Sequence, residues 1–153
     1  NIWFLVLDNL NLWNFSFQKK FEWEILQYSK DLIFVKPQTF MNLSGACVSR
    51  VAWFYKILPE DILVIHDEID FDFGRVAYKF GGWTAWHNWL KSIVEKLWTN
   101  DFARLRVWVG KPMNKQDVAD YVLGKFTSTE KDILLSRDFD KIKNIIDNFI
   151  NKS

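Results

Sequence analysis

An apolar run that ends in acidic residues constrains this chain more than any other part of its sequence. Ile62–His66 is largely apolar and predicts a buried strand, with Asp67 just past its end in the pentad HDEID. In an open α/β sheet, ligands bind where strands end. Asp67 is therefore a candidate for a carboxylate that meets a ligand.

A second stretch, FGGWTAWHNWLK at Phe80–Lys91, supplies other polar groups for the same candidate cleft. Gly81 and Gly82 predict a loop that delivers His87 and Asn88 to the first turn of a helix. A strand-end carboxylate and a His-Asn pair can converge on one cleft, where the amide adds a donor and an acceptor. Alternatively, the His-Asn pair only caps its helix and the carboxylate closes a turn. Spacing alone leaves both interpretations open.

Size and charge fit one soluble globular domain. The chain has 153 residues, of which 49% are hydrophobic and 25% charged, and this is enough for a domain with its own core. We therefore expect residues 1–153 to form a single domain. The formal net charge is +1, so any contact with nucleic acid must come from a local basic patch.

Cysteine content and hydropathy indicate a cytoplasmic protein. Cys47 is the one cysteine of the chain, so no internal disulfide can form, which is typical of a reducing compartment. No apolar run approaches the roughly 20 residues of a membrane span. Asn1–Leu12 contains Asp8 and lacks the basic residues that begin a signal peptide. We expect no association with membranes.

The order of the predicted elements indicates an α/β fold. Helices are predicted at Ile2–Leu12, Ser44–Tyr55, from about His87 to Leu97, and from a capping box of Thr127 and Glu130 to about Ile150. Strands are predicted at Phe21–Tyr28, Leu32–Val35, Ile62–His66, Arg75–Phe80 and Leu105–Val109, with Ala119–Phe126 as a short ordered return and Trp13–Lys20 as a loop. This order predicts a single-domain, three-layer α/β/α sandwich around a mixed, twisted sheet.

Four motifs carry a resemblance to a known family. They are KPQTFMNLSG, HDEID, GGWTAWHNWLKS and DFARLRVWVGKP, and DYVLGKF extends the similarity towards the C-terminus. In this order and spacing, they resemble the bacterial peptidyl-tRNA hydrolase family. The resemblance implies hydrolysis of the ester that joins a peptide to the 3′ end of tRNA, without a metal or another cofactor. Peptidyl-tRNA is then the partner, and we expect a monomer.

The resemblance also assigns roles to individual residues. Asp67 matches the carboxylate that orients the catalytic histidine and stabilises its imidazolium, as in hydrolase triads. His87 matches a histidine that gates or contacts the peptide side of the cleft, and Asn88 matches an asparagine that positions the attacking water or the ester carbonyl. The implied substrate-binding residues are Asn42, Phe40 and Asn1. A role for Asn42 as a helix cap is compatible with this assignment.

Three cations match the basic face that grips the acceptor stem and its 5′ phosphate. These are Lys79, Lys91 and Arg106. Contacts of this kind give salt-dependent affinity without reading sequence, as an enzyme for all tRNAs requires. The other interpretation is that they are three ordinary solvated charges.

The chain departs from the family pattern at its start. The family's activating histidine belongs immediately before the residue that matches Asn1, and its first strand and Gly-Asn-Pro-Gly loop precede that histidine. We therefore expect an N-terminally truncated family member. Without a general base, hydrolysis would lose an acceleration of roughly 10²–10⁴.

Tryptophan is the second departure, with 9 Trp against 6 Gly. The tryptophans at positions where the family motifs carry glycine are Trp3, Trp83, Trp86, Trp89, Trp98 and Trp108. Glycine serves there because a loop needs positive φ or because the backbone approaches the substrate closely. We hypothesise that these codons are UGA, which encodes glycine in some bacterial lineages and tryptophan in others. The alternative is that they are core aromatics.

Two further functions compete with ester hydrolysis of peptidyl-tRNA. One is a non-catalytic RNA-binding module on the same fold, which a residue other than histidine before Asn1 would favour. The other is a small-molecule hydrolase that uses Asp67 and His87, which would leave the basic patch without a role.

Overall fold

The computed structural model describes residues 16–18, 23–37, 44–68, 75–82, 84, 87–108 and 139–152. In chain order, the elements are β1 (Ser16–Gln18), β2 (Trp23–Ser29), β3 (Leu32–Pro37), α1 (Ser44–Tyr55), a 3₁₀ turn (Pro59–Asp61), β4 (Leu63–Glu68), β5 (Val76–Phe80), α2 (Asn88–Leu97), β6 (Ala103–Trp108) and α3 (Phe139–Ile150). They form two compact units: one contains β1–β3, α1 and α2, and the other contains β4, most of β5 and β6, and α3.

An antiparallel sheet in the order β1-β2-β3 forms one side of the first unit. A tight turn joins β2 to β3, where the Asp31 N–H donates to Ser29 Oγ at 3.3 Å. Ile25 of β2 pairs with Val35 of β3. Because paired residues point to the same face, these two branched side chains share one side of the sheet.

Helix α1 packs against that apolar side. Ile25 forms a buried cluster with Cys47 and Val51 of the helix, and Val35 packs on it. Cys47 and Val51 are four residues apart and lie on one stripe of the helix, as the apolar periodicity predicts. The bounds of α1 confirm the predicted helix Ser44–Tyr55.

Strand β1 corrects the predicted loop at Trp13–Lys20. Residues Ser16–Gln18 form a short strand that pairs antiparallel with β2, Phe17 lying opposite Glu24. Three residues are too few for an alternating pattern to stand out in a sequence, so pairing with a neighbour determines this strand.

Glycine at position 45 allows α1 and α2 to approach closely. The Gly45 N–H donates to Ser92 Oγ at 3.0 Å. A Cβ atom on Gly45 would collide with the backbone carbonyl of Ser92. The glycine of the KPQTFMNLSG motif is therefore required for backbone contact between two helices.

The second unit is built on a mixed sheet in the order β4-β6-β5. Ala103 N–H donates to Ile62 O at 3.0 Å, so β4 and β6 begin side by side and run in parallel. Trp108 N–H donates to Arg75 O at 2.8 Å and Gly81 N–H to Phe102 O at 3.0 Å, so β5 and β6 run antiparallel. The α/β fold class with a mixed sheet is thereby confirmed.

The end of β4 differs from the prediction. The strand runs over Leu63–Glu68, so Asp67 lies within it and not just past its end. Consecutive strand residues point to opposite faces, so the side chains of Asp67 and Glu68 lie on different sides of the sheet. Polar residues at the end of an apolar run made the strand look shorter than it is.

Helix α3 ends at Ile150, as predicted, and buries Ile142 and Ile146 on one face. Its predicted capping box and the predicted elements Ile2–Leu12 and Ala119–Phe126 lie outside the described residues. Within the described part of the chain, no helix is long and apolar enough to cross a membrane. That residues 1–153 form a single domain stays a prediction.

Trp98 follows α2 in a backbone conformation that suits glycine. Its φ is 59° and its ψ 25°, in the left-handed region, and its side chain is 92% exposed. Lys56 after α1 has a similar φ of 56°, but its charged side chain is well solvated when it is exposed. The backbone of Trp98 is therefore strained, and its exposed indole contributes little to the stability of the fold.

We expect Trp98→Gly to raise the free energy of unfolding by about 0.5–1 kcal/mol. Left-handed backbone costs an L-residue about 1–2 kcal/mol, and the greater chain entropy of glycine offsets about half of that gain. Thermal unfolding should show a Tm higher by roughly 1–4 °C.

Lys56→Gly is the matched control, because it relieves the strain of the same backbone conformation without removing an indole. A lower Tm for Trp98→Gly would contradict the conformational argument. Mass spectrometry of the native protein tests the codon hypothesis separately, and tryptophan at position 98 in the native peptide would refute it there.

Candidate active site and nucleic-acid interface

Asp67 is buried near the end of β4. Its relative exposure is 3%, beside a His66 exposed by 1%. The His66 Nδ1–H donates to the Asp67 carbonyl oxygen at 2.9 Å, since a carbonyl can only accept. This local bond holds the backbone of the strand end that carries the carboxylate. His66 thus has a structural role in this strand.

His87 and Asn88 lie at the N-terminus of α2. The backbone turn is closed by the His87 N–H, which donates to Thr84 O at 3.1 Å, while His87 O accepts from the Lys91 N–H at 3.1 Å. His87 occupies the cap position, but its side chain makes no capping hydrogen bond. The structure therefore shows no capping hydrogen bond from the imidazole of His87.

The two glycines before this helix have positive φ, which fits the loop that the sequence predicts there. Gly81 has a φ of 65° and Gly82 a φ of 91°, values that side chains with a Cβ rarely adopt. Gly82 O accepts from Asn100 Nδ2 at 3.3 Å. The loop that precedes α2 is thus fixed to the segment that leads into β6.

A basic face lies on one side of the mixed sheet. The hydrogen bonds at the two ends of β5 and β6 pair Arg75 with Trp108 and Gly81 with Phe102. The same register places Lys79 directly opposite Arg104. Arg104 and Arg106 are two residues apart on β6 and point to the same side. Like charges placed opposite each other destabilise a sheet, so this arrangement suggests a role in binding an anion. We call Arg75, Lys79, Arg104 and Arg106 the basic face.

Glu68 contributes a carboxylate that contacts this face. Its Oε1 accepts from Arg106 Nε at 2.8 Å, with side-chain exposures of 28% and 31%. Arg104 is only 2% exposed. Burial and the nearby Arg106 lower the pKa of Arg104, and Glu68 counteracts both. Glu68 therefore moderates the repulsion between two close guanidinium groups.

Trp108 packs within the basic face. The guanidinium carbons of Arg75 and Arg106 each lie 4.7 Å from the centroid of its ring, within the range of cation–π attraction. The side chain is buried in an extended strand. Unlike Trp98, Trp108 has no conformational need for glycine. Trp3, Trp83 and Trp86, and the side chain of Trp89, lie outside the described residues.

The predicted site residues fall into two groups, one in each compact unit. Asp67, Lys79 and Arg106 belong to the unit of the mixed sheet, and His87, Asn88 and Lys91 belong to the unit with α2. Asn88 and Lys91 are exposed, and His87 is partly buried. The predicted substrate-binding residues Asn1, Phe40 and Asn42 lie outside the described residues.

Sequence reasoning missed the other members of the basic face and the carboxylate beside them. Arg75, Arg104 and Glu68 were not among the predicted site residues. For Arg104, the available signal was its two-residue spacing from Arg106, because this spacing puts both side chains on one face when both residues lie in a strand. Across the described segments, no group of three or more His, Cys, Asp or Glu side chains is placed to hold a metal ion.

Comparisons with known proteins match the family that the four sequence motifs resemble. A family model described as peptidyl-tRNA hydrolase matches residues 1–153. The peptidyl-tRNA hydrolase of Rickettsia canadensis (strain McKiel) is 46% identical over 153 residues, which cover 96% of this chain and 82% of the relative. That of Rickettsia bellii (strain OSU 85-389) is 45% identical over 155 residues, covering 97% and 81%.

A solved structure shows the same fold. The crystal structure of peptidyl-tRNA hydrolase from Acinetobacter baumannii at 1.00 Å resolution matches with a TM-score of 0.78 and 30% sequence identity. The match covers 99% of this chain and 80% of the other. Sequence motifs, fold and relatives lead to one conclusion: this chain belongs to the peptidyl-tRNA hydrolase family.

Proposed function

We propose that this chain hydrolyses the ester bond between peptide and tRNA in peptidyl-tRNA, and that Asp67, His87 and Asn88 each have a role in the reaction. This is the activity for which the family and its relatives are named, and it returns tRNA to translation. The observation that carries the proposal is a buried carboxylate on the strand whose next residue, Glu68, contacts the basic face. The sheet then carries a candidate group for chemistry on one side and, on the other, side chains that can contact phosphate.

The reaction needs a base, a positioned water and a leaving ribose oxygen. Water adds to the ester carbonyl carbon, and its proton passes to a histidine that acts as general base. The bond between the carbonyl carbon and the ribose oxygen then breaks, and the proton moves to that oxygen. The products are a free peptide carboxylate and a tRNA with a free 3′-terminal hydroxyl.

We assign the roles that the family motifs imply. Asp67 orients the histidine that precedes Asn1 in the family and stabilises its imidazolium, for which a buried carboxylate is well suited. Asn88 positions the water or the ester carbonyl, and its exposed amide at a helix N-terminus can reach a substrate. His87 contacts the peptide side, while Asn42, Phe40 and Asn1 bind the peptide and the terminal adenosine.

We propose contacts with the acceptor stem for Lys79 and Arg106 of the basic face and for Lys91 of α2. Within the face, Lys79 and Arg106 match the family's tRNA-binding positions, and Arg104 lies opposite the lysine. Phosphate contacts from such side chains supply affinity for every tRNA without reading its sequence. We further propose that the protein acts as a monomer in the cytoplasm.

The assay is release of a labelled peptide from peptidyl-tRNA by the full-length gene product. Hydrolysis that is lost when His87 or Asn88 is replaced by alanine supports the proposal. Binding of tRNA without cleavage would instead favour the RNA-binding module, which the names of the relatives disfavour. Cleavage of small esters with no preference for tRNA would favour the small-molecule hydrolase.

We expect Lys79→Ala, Lys91→Ala and Arg106→Ala each to weaken tRNA binding. Each lost phosphate contact should also flatten the plot of log affinity against log salt by about one unit. The measurement is a set of tRNA titrations between low and moderate salt. Lys30→Ala, in the exposed turn between β2 and β3, is the control for a general loss of charge. Slopes equal to that of the control in all three variants would assign these side chains to ordinary solvated surface.

A further inference from the structure

Glu68 contacts the predicted phosphate ligand Arg106, yet no role in the reaction has been given to it. The distance of 2.8 Å from Nε to Oε1 is that of a charge-assisted hydrogen bond. Both side chains are about two-thirds buried, so solvent screens this pair less than an exposed one. The pair is thus a defined contact between β4 and β6.

The geometry of the pair leaves Arg106 suited to a second anion. The bond to Glu68 uses Nε, whereas the outer edge of a guanidinium, formed by its two Nη groups, can bind a phosphate through parallel N–H donors. Arg106 keeps about a third of its side chain exposed. A carboxylate on Nε fixes the plane of the group without occupying that edge.

The surrounding charges give Glu68 a second task. The buried Arg104 lies two residues from Arg106 on the same side of β6, and Lys79 lies opposite it on β5. Without a carboxylate here, repulsion between the guanidinium groups would favour rotamers that turn Arg106 away. Glu68 offsets that repulsion while no tRNA is bound.

We propose that Glu68 is a positioning residue for tRNA binding: it holds the guanidinium of Arg106 in the orientation in which its outer edge receives a backbone phosphate. The proposal rests on the proposed function. It predicts that Glu68 acts through Arg106 and not on the ester. Losing a negative charge from a phosphate-binding surface should therefore weaken binding, which is opposite to the simple electrostatic expectation.

Two substitutions separate orientation from charge. Glu68→Ala removes both the acceptor and the charge, and it should raise KM for peptidyl-tRNA by roughly tenfold, with the loss in KM and not in kcat. The salt slope should fall by about one unit, as for Arg106→Ala. Glu68→Gln keeps an oxygen that can accept from Nε, so it should recover most of the lost affinity.

A double-mutant cycle makes the test sharper. If Glu68 acts through Arg106, Glu68→Ala should have no further effect on binding in the Arg106→Ala background. Asp147→Asn, on the exposed side of α3, controls for the change in net charge. Thermal unfolding of every variant, together with turnover of a peptidyl ester of adenosine alone, separates a phosphate-specific effect from general damage to the fold.

Three outcomes would overturn the proposal. Tighter tRNA binding in both Glu68 variants would show that the carboxylate only competes with phosphate. Equal losses on peptidyl-tRNA and on the adenosine ester would assign Glu68 to the structure of the sheet. Additive losses in the double variant would show that it acts independently of Arg106. Absence of hydrolysis by the wild type, in contrast, would refute the proposed function itself, and the binding measurements would still test Glu68.

Discussion

Replacing Asp67 by asparagine is expected to lower kcat/KM for peptidyl-tRNA by roughly 10²–10⁴, the range typical of general acid–base catalysis. Asparagine has nearly the same shape but no charge, so it can neither stabilise an imidazolium nor hold the histidine in the required tautomer. The loss should appear mainly in kcat, because the proposed phosphate contacts involve other side chains. Single-turnover hydrolysis by the full-length gene product measures it.

The control for this variant must keep the fold and change one carboxylate. Asp31→Asn, in the exposed turn between β2 and β3, meets that need. Thermal unfolding of Asp67→Asn shows whether the buried site tolerates an amide. A variant that folds like the wild type and retains its turnover would remove Asp67 from the mechanism and leave His87 as the candidate base.

Gly45→Ala is expected to destabilise the protein strongly. The new Cβ would meet the backbone carbonyl of Ser92, which cannot rotate away as a side chain can. The two helices must then separate, and overpacking of this kind costs about 1–3 kcal/mol, with this site at the upper end. We expect Tm to fall by roughly 5–10 °C, as measured by thermal unfolding.

Ser92→Ala distinguishes close approach from hydrogen bonding at the same contact. It removes the Oγ that accepts from the Gly45 N–H at 3.0 Å but leaves the backbone distance unchanged. The expected cost is about 1 kcal/mol. If Ser92→Ala proves as damaging as Gly45→Ala, the hydrogen bond and not the close approach holds the helices together.

Much of the fold was predictable because periodicity is strong where one face is buried. The apolar stripe of α1 gave its limits correctly, and the branched residues of β2 and β3 indicated the hairpin. Strand β1 was missed because three residues carry too little pattern. The end of β4 was misplaced because Asp67 and Glu68 are polar, although backbone pairing continues through them.

The candidate site was less predictable than the fold. The motifs pointed to Asp67, His87 and Asn88, which short-range spacing can suggest. The basic face depends on the register between β5 and β6, and a sequence does not reveal which residues of two strands lie opposite each other. Arg104 and Glu68 therefore emerged only from the structure. The strain at Trp98 was suggested by the motif position, and its left-handed φ agrees with that reasoning.

Strand β4 places adjacent carboxylates on opposite sides of one sheet, and this arrangement makes the strand intolerant of changes in length. Its start is anchored where Ile62 O accepts from the Ala103 N–H. Deleting or inserting one residue between that anchor and Asp67 would turn the proposed catalytic carboxylate towards the basic face and remove Glu68 from Arg106. Both proposed functions would fail together. Evolution and protein engineering can therefore change β4 by substitution, whereas a change of length there must be matched by a compensating one elsewhere in the strand.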